Sequence, residues 1–116
     1  MKNVGRYEQA ALTLTGPVED LVGDRAVYSI LDTAHQVDNL IFTIAEDSAR
    51  LARNLNTFAE EVSRVNYDVT PPTHSSIIAD ITENTGRLRA KREALFTLIT
   101  TLRGRDALKA YSQSLS

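Results

Sequence analysis

The sequence predicts an all-α protein: a long antiparallel helical hairpin, coiled-coil-like, with short flanking helices, completed to a four-helix or larger bundle by oligomerisation. Three observations carry that expectation. Between residues 27 and 65 the apolar positions recur at alternating spacings of three and four. A second stretch, 74–103, places Ile81, Leu88, Leu95 and Leu102 seven residues apart. Between them lies "VNYDVTPPTHSS", whose two prolines lack backbone donors and whose Thr70 is steered from helical angles by Pro71. Spacings of three and four put side chains on one helical face.

The 116-residue chain is the length of a single domain. Its expected segments are an N-terminal arm or short helix (1–16), a first long helix (17–68), a bend (69–73), a second helix (74–103), and a short helix with a frayed tail (104–116). In the arm, Tyr7, Ala10, Ala11 and Leu14 stand at helical spacing. Pro17 and the acids Glu19 and Asp20 suit a helix start, and Gly23-Asp24 offers a break and a second cap.

The first long helix carries a heptad seam. Its a positions are Val27, Ala34, Ile41, Ser48, Leu55 and Val62, and its d positions are Ile30, Val37, Ile44, Leu51, Phe58 and Val65. Leu31, Ala45, Ala52 and Ala59, all at e, widen it beyond what a two-stranded seam needs, as expected of a helix with two neighbours. The helix is expected to stop near Tyr67 or Asp68. Thr73, Ser75 or Ser76 would cap the second helix through a hydroxyl. The a positions of the second helix are Ile78, Thr85, Arg92 and Ile99, and Arg92 as a buried charge would need an acid. Gly104 suits its C-terminus and Asp106 the start of a last helix, 107–113.

Charge supports the antiparallel pairing. Residues 18–68 hold ten acids and four bases, while 74–116 hold seven bases and four acids. At about 1.5 Å per residue the first helix spans about 66 Å from residue 24 and the second about 45 Å, so Leu102 would reach back only to Ile41. The upper seam (Val27, Ile30, Leu31, Ala34, Val37, Ile41, Ile44) is therefore an expected interaction seam. It would be covered by the N-terminal arm, the last short helix, a second copy, or a helical partner. A two-helix hairpin alone buries little surface, which favours association, most simply a dimer.

Chemistry is sparse. With no Cys there is no disulfide, thiolate metal site or thiol nucleophile. Asp32, His35 and Asp38 have ligand-type spacing but fall at f, b and e, away from the seam and without a matching motif on the second helix. His74 lies near Tyr67 and Asp68 in sequence. Neither a nucleophile elbow nor a phosphate loop is present. We expect no enzyme, no cofactor and no metal. The basic cluster Arg87, Arg89, Lys91 and Arg92 would serve a nucleic acid or an acidic surface in the alternative reading, or complement the acidic first helix. No apolar run is long enough to span a membrane or to form a secretory leader, so a cytoplasmic location is expected, with leaderless export also compatible.

In length and hairpin layout the chain resembles the small secreted substrates of type VII systems, which form four-helix dimers. That family's bend carries a Trp-x-Gly motif, and this chain has no Trp. The tail Tyr111-Ser112-Gln113-Ser114-Leu115 also lacks the acid that the family's signal places after Tyr. The likeness is one of architecture only. The leading expectation is a non-enzymatic interaction or scaffold module in a helical assembly.

Overall fold

Four helices follow one another in the computed structural model, which describes residues 5–15, 25–64, 71 and 73–115. They are α1 (Arg6–Thr15), α2 (Arg25–Ser63), α3 (Ser75–Arg103) and α4 (Arg105–Leu115), and among the described residues there is no strand. The expected helix start at 17–24, the seam member Val65, the stop near Tyr67 or Asp68, and most of the bend 69–73 lie outside the described residues.

No Gly or Pro interrupts α2, so its helical propensity is unbroken. α3 packs antiparallel along it, and the molecule as a whole measures 62 × 29 × 25 Å along its principal axes. α3 reaches further up α2 than the sequence suggests. Leu95 and Ile99 share a core with Ile30, Ala34 and Val37, whereas the length estimate set Leu102 level with Ile41.

α1 and α4 cover this upper end. Ala10 and Ala11 of α1 and Tyr111 of α4 complete the core, with Tyr7, Leu14, Leu31, Phe96, Leu98 and Leu108 packed around it. Of the covers the sequence leaves open for the upper seam, the N-terminal arm and the last short helix are the ones found, so that seam is internal and not an interaction face. Val27, Ile30, Ala34 and Val37 are all 0% exposed within one copy. Each large aliphatic side chain so buried contributes about 1.5–3 kcal/mol, which recruits two short helices that would be marginal alone.

Three local expectations also change. The N-cap of α3 is His74, with no side-chain cap bond, rather than a capping hydroxyl; the first turn is closed by the Ile78 N–H donating to the His74 carbonyl at 2.9 Å. The tail from Ser112 to Leu115 is helical instead of frayed. Arg92 is exposed rather than buried, and its guanidinium lies 5.6 Å from the centre of the Phe96 ring, so the ring face replaces the acid it was expected to need. Gly104 ends α3 as foreseen. Its φ of 92° and ψ of 171° occupy a region closed to side-chain-bearing residues, and its N–H donates to the Thr100 carbonyl.

Candidate functional site

The e positions of α2 show how the molecule divides. At the top, Leu31 packs against the core. One heptad lower, Asp38 receives the start of α1: its carboxylate accepts the Tyr7 N–H at 3.0 Å and the Glu8 N–H at 2.8 Å. This is an N-cap supplied from another helix, and it satisfies two donors that a helix start leaves open. Gly5 permits it, because a Cβ there would collide with the Asp38 carboxylate. Below Asp38 the same lane continues as Ala45, Ala52 and Ala59, and all three are exposed.

The a positions repeat the division. Val27 and Ala34 are sealed, whereas Ile41 (40%), Leu55 (47%) and Val62 (47%) stand open, and so does Ser48 between them. The d residues Ile44, Leu51 and Phe58 remain half-buried along the whole lower half, as expected of the side turned to α3. On α3, Ile78 is 52% exposed. Of the expected interaction seam, then, Val27, Ile30, Ala34 and Val37 are internal, Leu31 and Ile44 are half-buried, and only Ile41 is exposed. The open apolar surface lies lower, in the a and e lanes from Ile41 to Val62.

The border between the halves is a step. α1 begins there, at Asp38, and α4 ends there: Arg6 donates from a guanidinium nitrogen to the Leu115 carbonyl at 3.3 Å. The Tyr111 hydroxyl donates to the Tyr7 carbonyl at 2.9 Å, and its ring meets Phe96 edge-on at 6.2 Å. Burial, reinforced by the nearby Asp38 charge, pushes the Tyr111 phenol well above its ordinary value. A hollow of about 340 Å³ opens at the step, lined by Arg6, Tyr7, Arg92, Phe96, Ser112 and Leu115.

The basic cluster does not converge. Arg87 and Lys91 line an open groove of about 620 Å³ between α2 and α3, together with Asn39, Leu40, Ala90 and Ala94. Arg89 and Arg92 border a smaller hollow beside Phe96, on the side that carries α1 and α4. Arg87 is also paired with Glu83 at 2.6 Å. Asp32, His35 and Asp38 are likewise engaged separately: Asp32 with Gln36 at 2.8 Å, His35 with Glu8 at 3.5 Å, and Asp38 with α1. Among the described residues no group of three or more His, Asp or Glu side chains is placed to hold a metal ion, and no described helix is long and apolar enough to cross a membrane. Both ring nitrogens of His74 are buried without a hydrogen-bond partner, and its sequence neighbours Tyr67 and Asp68 lie outside the described residues.

Sequence reasoning missed the capping role of Asp38. An acid at an e position otherwise filled by Leu and Ala was the available signal. Comparison with known protein families, with curated proteins and with solved structures returns no match.

Proposed function

We propose that this chain is a non-enzymatic helical interaction module whose docking face is the open lower half of the hairpin. One observation carries the reading. The a and e residues of α2 from Ile41 to Val62 are all exposed, although they continue the lanes that α1 and α4 cover above. Leaving Leu55, Val62 and Ile78 in water forfeits about 25 cal/mol for each Å² of apolar surface that an added helix would cover. The lane of alanines lets another helix approach closely. Divergence of the four bases onto two sides of the hairpin weighs against a polyanion as the main ligand, since phosphate binding gains from bases aligned along one groove.

The test is site-specific photo-cross-linking in the native source. A cross-linking side chain at Leu55 should capture a protein, this chain or another, while the same group at Ala90, on the groove side, should capture far less. Equal or absent capture at the two positions would remove the reading.

A further inference from the structure

Resting on that docking face, we infer that its occupant is a second copy of this chain, packed antiparallel across a two-fold axis near Ala52. Two features of the face select this partner.

The first is the pattern of the exposed stripe. Read down α2 it runs Ile41, Ala45, Ser48, Ala52, Leu55, Ala59, Val62, and all seven residues are exposed. Turned end for end about Ala52, it is close to its own complement. Ile41 meets Val62 of the second copy, Ala45 meets Ala59, Ser48 meets Leu55, and Ala52 meets itself. A two-fold interface demands this reciprocity, in which each contact occurs twice with the roles exchanged. The small residues hold the centre, so the two α2 helices approach closely there, and the larger aliphatic side chains close both ends.

The second feature is shape. α1 and α4 stand on this side of the hairpin along its upper half, with the start of α1 and the end of α4 forming the step beside Asp38 and Leu115. A parallel second copy would drive these helices into its own. An antiparallel copy keeps them clear of the described part of α2, because with the axis at Ala52 the Asp38 of the second copy lies past Ser63 of the first. The shared length, about 32 Å along α2, and a width of two helices, about 20 Å, give about 640 Å² per copy, close to the size of a standard specific interface.

The native chain has no Cys, so a single introduced thiol reports on the axis directly. Ala52→Cys in the full chain should oxidise almost completely to a disulfide-linked dimer, while Ala90→Cys under the same conditions should remain largely monomeric. Light scattering of the unmodified chain at about 100 μM should give a dimer, for a Kd of about 1 μM or tighter. Ala52→Glu changes an exposed residue to a good helix former. It should weaken the dimer about 100-fold or more by setting two like charges face to face, with helicity at low concentration unchanged. A monomer at about 100 μM that fails to cross-link through Ala52→Cys overturns the second-copy assignment. If the Leu55 cross-linker in that monomer captures a different protein, the docking-face reading survives while this inference falls. A dimer insensitive to Ala52→Glu also overturns the inference.

Discussion

The upper and lower halves of the hairpin are built from one heptad pattern and meet different fates. Above Asp38, Val27, Ile30, Ala34 and Val37 are sealed by helices of the same chain. Below it, the same lanes are open from Ile41 to Val62. The pattern does not weaken between the two, for Leu55 and Val62 are as apolar as Ile30 and Val37. What differs is the supply of helix. Two short segments, α1 and α4, suffice to cover about one half of α2, and Asp38 marks where that cover ends. An apolar helix stripe therefore specifies that a neighbour is needed without specifying where the neighbour comes from.

The sharpest way to break the comparison is to place the same charge in each half. Ile30→Asp should unfold the chain or cost about 4 kcal/mol or more, because an unpaired carboxylate enters a sealed core. Leu55→Asp should change the stability of the dilute monomer by only about 0.5 kcal/mol, as at other exposed positions. Thermal melts followed by circular dichroism at low concentration compare them. Similar losses from both would show that the halves are not distinct.

The next effects isolate the cover itself. Tyr111→Ala should cost about 3–5 kcal/mol by leaving a cavity between α4 and α3, whereas Tyr111→Phe should cost only about 1 kcal/mol for the hydrogen bond to Tyr7. Denaturant melts would read both, and a small loss from the alanine variant would mean that α4 is not integral to the core. Asp38→Ala should cost about 1–2 kcal/mol. Its signature in hydrogen exchange should be faster exchange of the α1 amides, Tyr7 and Glu8 foremost, with the lower part of α2 unaffected. Uniform acceleration along α2 would contradict a local cap.

The smallest effect is one of pH. The buried Tyr111 phenol is held neutral by the fold, so its folded value is raised above the ordinary tyrosine range. For an acid shifted in that direction, the stabilisation is fully present below about pH 10 and declines as pH rises through and beyond it. Melting temperature should therefore fall between about pH 9 and about pH 11, and Tyr111→Phe should flatten part of that fall. An identical slope in the variant would assign the alkaline loss to other groups.

Much of this molecule was legible in the chain. Alternating spacings of three and four placed α2 and α3, since side chains so spaced share one face and can bury together. Gly104 announced the end of α3 because few other residues adopt its backbone angles, and Tyr7, Ala10, Ala11 and Leu14 identified the arm as a helix with one apolar side. Each of these is a local property, decided within a few turns of chain. What only the tertiary structure decided is pairing. Whether Val37 faces an in-chain neighbour or a partner depends on the offset of α3 along α2 and on where α1 and α4 land. Whether Asp38 is a solvated acid or the cap of α1 depends on where a distant segment lands. Arg92 shows the same limit, since its heptad position suggested burial and the proximity of Phe96 and α4 left it at the rim. Heptad spacing determines which face of a helix avoids water, because that follows from residues fixed on one rigid helix. It does not determine which surface covers that face, because all apolar neighbours satisfy the hydrophobic effect alike, and the choice among them rests on lengths, charges and caps far apart in sequence.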